Sequence, residues 1–355
     1  MSHAGRLLLV VAAVAALTAT SGCGGAGSGV LAPSARAATV CDRFVAPHGD
    51  DRAAGTAKHP WRSAQRLVRG LRSGQRGCLR AGTYRGDVAV GRSRVVLSSA
   101  PGERARVVGR VWIQRQASHV AVIDLDLDGR NARGLPSPTV NGDAAQFLRL
   151  DVTNDRSGVC FLIGSGYGRA DDTVIRWSRI HGCGVLPAVN RQHGIYVDTA
   201  VGTQILDNVI YDNADRGIQL YPDAQRTTIR GNVIDGNGEG VIFSGDGRTA
   251  SSDTLVEGNA ITGARIRANV ESWYPTGAAQ GRGNRVVGNC LEGGTPAIDV
   301  SGGGFAASDN VVAAPLYKDR LSHDFRIGAA SPCAAVLRAS AAPAGPQGQP
   351  PVSGR

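Results

Sequence analysis

Short runs of alternating apolar and polar residues recur along the chain, each marked by one asparagine. Ile205-Leu-Asp-Asn208-Val-Ile210, Ile229-Arg-Gly-Asn232-Val-Ile234, Val256-Glu-Gly-Asn259-Ala-Ile261 and Val286-Val-Gly-Asn289-Cys-Leu291 share one layout. Each has an aliphatic residue three before the Asn and another two after it. Degenerate copies centre on Leu125, Leu150 and Ser178, and a last one on Asn310, so successive centres lie 21 to 30 residues apart. A second alternating segment follows some eight or nine residues after the Asn, as in Gly194-Ile-Tyr-Val-Asp198, Gly217-Ile-Gln-Leu-Tyr221, Gly240-Val-Ile-Phe-Ser244 and Ala297-Ile-Asp-Val-Ser301. Strand-like alternation at this period predicts stacked coils whose apolar positions point inward. The Asn is expected at a tight bend, in left-handed geometry, hydrogen-bonding the coils on either side. Eight such coils at about 4.8 Å each make a rod of about 40 Å.

One segment has the helical period instead. Trp61, Ala64, Leu67, Val68 and Leu71 fall on one face of residues 60–72, while Arg62, Arg66, Arg69 and Arg72 fall mostly elsewhere. This predicts an amphipathic helix covering the first coil, whose strand edges would otherwise be open.

Composition agrees with a solenoid. The 355 residues include 49 Gly, 16 Pro and only 17 aromatics, which favours many tight turns over a helical core. Charged residues are 19% of the chain and hydrophobic ones 42%, which excludes a disordered polyampholyte and a membrane bundle. The net charge of +10 comes almost wholly from scattered Arg, a pattern that disfavours nucleic acid and makes an acidic polymer a sensible partner.

The pattern resembles the right-handed parallel β-helix of the pectate-lyase-like superfamily. The opening Phe44-Val-Ala-Pro-His-Gly-Asp-Asp51, with Pro60-Trp61 and Leu79-Arg-Ala-Gly-Thr-Tyr84, is similar to that superfamily's first coil. Asn310-Val-Val-Ala-Ala-Pro-Leu-Tyr317 and His323-Asp-Phe-Arg326 are similar to its last. The resemblance implies an all-β single domain over 41–333. It leaves the reaction open among lyases, glycosidases, epimerases and non-enzymes.

At the N-terminus, Arg6 precedes an apolar run from Leu7 to Leu17, too short to span a bilayer. The following Thr20-Ser21-Gly22-Cys23 resembles a bacterial lipobox, which implies a signal segment over 1–23 and a lipidated Cys23. Residues 24–40 then read as a flexible tether and 334–355 as a disordered tail. The protein is expected to be exported, monomeric, and held at the cell surface only through the lipid. Six cysteines remain for disulfides in an oxidising compartment. Fifteen pairings are open. Proximity within a coil favours Cys41–Cys78, Cys160–Cys183 and Cys290–Cys333, and no C-x-x-C spacing supports a metal site.

Candidate chemistry lies where residues 181–193 lead into the 194–198 segment. Outward positions there are Tyr196 and Asp198, and the next coil offers Gln219 and Tyr221 about 4.8 Å away. His193, Asp223, Arg191 and Arg216 sit at adjacent bends. In this set His193, Tyr196, Asp198, Tyr221 and Asp223 are candidate catalytic groups, and Arg191, Arg216 and Gln219 candidate substrate contacts. The set suits β-elimination or epimerisation of a uronate polymer. A cation neutralises the sugar carboxylate, a base removes the adjacent C–H proton, and Tyr or His supplies a proton. The alternative is a non-catalytic surface protein that binds glycan or serves a structural role, with the aromatic residues as a sheet-stabilising stack. A second set, Asp124, Asp126, Asp128 and Asp151, is expected to face outward as a candidate Ca²⁺ site or as solvated carboxylates balanced by Arg179 or Arg149.

Overall fold

The computed structural model describes residues 40–339. The expected signal segment, Cys23 and most of the tether lie outside them. Among the described residues, three parallel sheets of eleven, ten and eight strands wind around one apolar core. A representative coil visits the first sheet at Gln204–Leu206, the second at Val209–Tyr211 and the third at Arg216–Gln225. It then re-enters the first at Thr228–Arg230. The fold is the right-handed parallel β-helix that the repeat predicts.

Register follows the repeat residue by residue. In the first sheet Val122, Phe147, Ile175, Ile205, Ile229, Val256 and Val286 stack in one column. In the second, Leu127, Val152, Ile180, Ile210, Ile234, Ile261 and Leu291 do the same. Alternation sends these side chains inward, where every one is buried. Burying an aliphatic side chain contributes about 1.5–3 kcal/mol, so the two columns carry much of the driving force for stacking.

Between those sheets runs the asparagine ladder. The Oδ1 atoms of Asn208, Asn232, Asn259, Asn289 and Asn310 each accept the backbone N–H one coil earlier, at 2.9–3.0 Å. Their Nδ2 groups donate to the carbonyls of Ile175, Ile205, Ile229, Val256 and Val286. One expectation is corrected here: the left-handed residue is the one before the Asn. Asp207, Gly231, Gly258, Gly288 and Asp309 all have φ between 54° and 68°. That bend turns the chain so the following Asn side chain points along the axis, and it explains the Gly-Asn pairs. A second, shorter ladder joins Cys183 N–H to Asn213 Oδ1 and Asn213 to Asn237 at the next corner, after Asp212 and Gly236 in the same left-handed geometry.

The helix spans Ala64–Gly70, shorter than the helical period indicated. Ser63 accepts the Arg66 N–H as its N-cap. Trp61, Ala64, Leu67, Val68 and Leu71 are all buried, as the periodicity requires. The Ala297–Ser301 segment is not a strand. Ile298 makes a single bridge to Val270, since Pro296 lacks an N–H and Gly302-Gly303-Gly304 follow directly. After the last coil an antiparallel hairpin, Tyr317–Asp319 with Asp324–Ile327, lays His323 and Phe325 against Tyr211 of the second sheet. Residues Ala334–Ala339 form a helical turn where disorder was expected. Cys333 at its start is bonded to Cys290, which ties the turn to the solenoid. The other disulfides join Cys41 to Cys78 and Cys160 to Cys183, each with Cα atoms 5.7 Å apart.

Candidate functional site

Strands of the first two sheets are two to four residues long. The third sheet widens to seven residues at Ile195–Val201 and ten at Arg216–Gln225. Its outer face carries the row Tyr196, Gln219, Ile242 and Glu271 in successive coils. The pairing of Tyr196 with Gln219 follows the expected register. Two coils then fall out of step: Tyr221 and Pro222 together stand opposite the single residue Asp198, so that Thr199 pairs with Asp223. Such a bulge bends the strand and re-aims its side chains. Here it brings Asp198 and Asp223 into mutual electrostatic range beside the rings of Tyr196 and Tyr221, whose centroids are 6.5 Å apart.

Electrostatics sorts this patch. Burial, with the nearby Asp223, raises the pKa of Asp198 from its ordinary value, although Thr199 Oγ1 donates to it at 2.5 Å. Burial likewise raises the Tyr196 phenol, so it keeps its proton at neutral pH. Asp223 is paired with Arg169 at 2.9 Å and accepts from Gln225 Nε2 at 2.8 Å. Arg169 lay beyond the reach of the sequence, since it comes from a coil 54 residues earlier.

Three expected roles are corrected. His193 is 3% exposed, and its Nδ1 accepts the Arg216 N–H at 3.4 Å. Burial and the neighbouring Arg216 hold its pKa well below the usual imidazole value, so it stays neutral and props the Tyr196 ring edge-on at 5.5 Å. Arg216 is also buried, bonded through Nε to Glu239 at 2.8 Å and through Nη1 to the Asn190 carbonyl. It is already neutralised and is not free to meet a substrate carboxylate. Gln219 is buried and donates to Ser244 Oγ at 3.2 Å. Arg191 does stand exposed. Its loop is pinned by Asp215, whose carboxylate accepts the N–H groups of Asn190, Arg191 and Gln192 at 2.6–2.8 Å. The Asp215 anchor was missed, and its position one residue beyond the Asp-Asn-Ala corner is the only signal for it.

A further group escaped the sequence reading because its members lie on two coils. Glu239 and Glu271 are buried side by side, and Arg267 Nη2 bridges them at 3.2 and 2.6 Å. Burial, then the Glu239 charge, pushes Glu271 up to about 7.

The acidic set does not form a cation cage. Asp126 and Asp151 stack as expected, with Arg179 one coil further on. Asp124 instead occupies a left-handed bend and pairs with Arg149 at 2.7 Å. Asp128 faces no solvent: it is 1% exposed and gripped by Arg106 and Arg130, both at 2.6 Å. Asp126 holds Arg104 at 2.6 Å, and Asp151 holds His181 at 2.9 Å. These carboxylates are thus paired with arginines of neighbouring coils, with Arg130 just beyond Asp128, and with His181. Among the described residues no three His, Cys, Asp or Glu side chains converge to hold one. An internal void of about 10 Å³ among Leu79, Val88, Leu97 and Leu125 is wholly apolar, a gap between core side chains rather than a ligand site.

Comparison with known proteins agrees with this architecture. Residues 139–312 match the family described as "Right handed beta helix region". The structure is similar to pectate lyase Pel9A, at 13% identity and a TM-score of 0.59, covering 84% of this chain and 92% of that one. It is also similar to a rhamnogalacturonan lyase, at 10% identity and a TM-score of 0.52, covering 78% and 90%. XylC in complex with xylose gives 10% identity and a TM-score of 0.51, covering 71% and 69%. These likenesses establish the fold. No curated protein sequence matches the chain significantly.

Proposed function

We propose that this is an exported, surface-held β-helix protein that acts on an acidic polysaccharide through the outer face of its third sheet, as a uronate lyase or epimerase. The observation that carries the reading is the bulge at Asp198. It gathers a proton-retaining Tyr196, a carboxyl of raised proton affinity and a second tyrosine ring on the widest part of the sheet. Two of the proteins that share the fold at a TM-score above 0.5 are polysaccharide lyases, which supports a glycan over other partners.

The chemistry follows from the protonation states. Arg191 neutralises a uronate carboxylate and so acidifies the adjacent C5–H. Asp198 takes that proton, the electron pair forms the C4–C5 double bond, and the C4–O bond breaks. The Tyr196 hydroxyl then gives its proton to the departing oxygen. In an epimerase the same carbanion is reprotonated from the opposite face. Tyr221 supplies a flat ring against which a sugar face can lie.

The test is incubation of the protein with a panel of uronate polymers, following absorbance of unsaturated products and reducing ends together. Unsaturated product supports the lyase, and isotope exchange at C5 without cleavage supports the epimerase. Binding without turnover selects the alternative, a non-catalytic glycan-binding surface protein. Silence in all three readouts removes the glycan reading.

A further inference from the structure

Three coils beyond Tyr196, about 14 Å along the axis, the outer row of the third sheet ends at Glu271. The local arrangement there is unlike the rest of the face. Glu239 and Glu271 are buried, with side chains 5% and 7% exposed, yet the Arg267 lying over them is 48% exposed. Both carboxyls take the same nitrogen, Nη2. The Nε and Nη1 groups of Arg267 have no partner among the described residues. Arg216 closes the far side of Glu239 at 2.8 Å. Two residues along the strand from Glu271, on the same face, Trp273 is 54% exposed. A half-exposed cation with free donors, on the same strand segment as an exposed indole ring, suits a sugar that carries an acid group, because the ring takes the apolar face and the guanidinium the carboxylate.

We propose that Arg267, held in place by the Glu239–Glu271 carboxyl pair, is a second carboxylate-binding subsite on the outer face of the third sheet, and that a polyanionic glycan is drawn onto it with proton uptake by the pair. This rests on the glycan reading above and extends it by naming the ligand as a polymer with acid groups on more than one unit.

The charges explain the proton. The groups facing Glu271 are Glu239 from the neighbouring coil, Arg267 from its own lead-in loop and Arg216 from two coils back. With Glu271 protonated, the two guanidiniums face Glu239 and the more distant Asp299, which feels the Arg267 charge. With Glu271 ionised, a third carboxylate joins them and the cluster is net negative. An arriving carboxylate therefore favours the protonated form. Since burial sets Glu271 near neutrality, at about 7, the exchange falls in an accessible pH range.

Isothermal titration calorimetry tests this with galacturonate oligomers and, as the neutral probe, the same oligomers methyl-esterified, at pH 6 and pH 8 in two buffers of different ionisation enthalpy. Acidic oligomers should bind tighter at pH 6 than at pH 8, with measurable proton uptake at pH 8, where the free pair has lost its proton, and esterified ones should show neither effect. Arg267→Gln should weaken acidic binding about ten-fold, equivalent to ~1.4 kcal/mol, and leave the esterified probe unchanged. Glu271→Gln should keep the affinity and abolish both the pH dependence and the proton uptake. Wild-type affinity for acidic oligomers in Arg267→Gln, or binding at pH 8 without proton uptake in the native protein, overturns this inference alone. If the native protein binds neither probe, the glycan reading falls and takes the subsite with it.

Discussion

Replacing Asn232 by Ala interrupts the asparagine ladder at a fully buried rung. Its Oδ1 accepts the Asn208 N–H at 2.9 Å, and its Nδ2 donates to the Ile205 carbonyl at 2.8 Å. Asn208 Nδ2 keeps the Ile175 carbonyl, and Asn259 Oδ1 keeps the Asn232 N–H. The substitution therefore strands one buried backbone group, the Asn208 N–H, and takes the side-chain donor from the Ile205 C=O, which stays in the strand ladder. At about 1–3 kcal/mol for the orphaned N–H and about 1 kcal/mol for the lost second bond, the loss should be about 3 kcal/mol. Asn310→Ala at the ladder's end removes the same kinds of bond, but Asn310 is only half-buried and water can replace them. Its cost should be about 1 kcal/mol. Urea unfolding followed by far-ultraviolet circular dichroism measures both. A loss below about 1 kcal/mol in Asn232→Ala, or equal losses in the two variants, would refute the claim that the ladder satisfies the interior.

Other expectations follow from single contacts. Reducing Cys160–Cys183, or replacing both residues by Ala, should cost about 3 kcal/mol, since the bond closes a loop of 23 residues; thermal melts of the oxidised and double-Ala forms check it. Glu271 holds a proton in the folded protein between its ordinary value of 4.5 and about 7. Native stability should therefore fall as pH rises through that window, and Glu271→Gln should flatten that slope when unfolding midpoints are compared at pH 5 and pH 8. His193→Ala should lower the melting temperature, because it leaves the buried Arg216 N–H without an acceptor. An unchanged melting temperature there would mean that the imidazole is not part of the core.

The asparagines and their flanking aliphatics made the fold legible, because an inward column needs the same residue class in every coil. Even the degenerate copies at Leu125, Leu150 and Ser178 fall into register. The left-handed bend was misplaced by one residue, since Asn tolerates that geometry while the neighbouring Gly or Asp actually adopts it. The site was legible only in part. Alternation along one strand placed Tyr196 opposite Gln219. The bulge that sets Tyr221 and Pro222 opposite Asp198 leaves no periodic trace, and Arg169, Glu239 and Arg267 each meet a partner on another coil. Burial removed His193 and Arg216 from the surface, because their coil corners are covered by the 181–193 loop and by Glu239. Outward acidic residues suggested a cation site, whereas stacking supplies arginines from adjacent coils.

The central claim, that the Asp198 bulge is where an acidic glycan reacts, is tested most directly by Tyr196→Phe. The hydroxyl makes no hydrogen bond within the described residues and the ring is retained. Turnover of uronate polymer and thermal unfolding are measured on the same sample beside the native protein. Lost turnover with an unchanged melting temperature is the predicted result; full turnover would contradict the account.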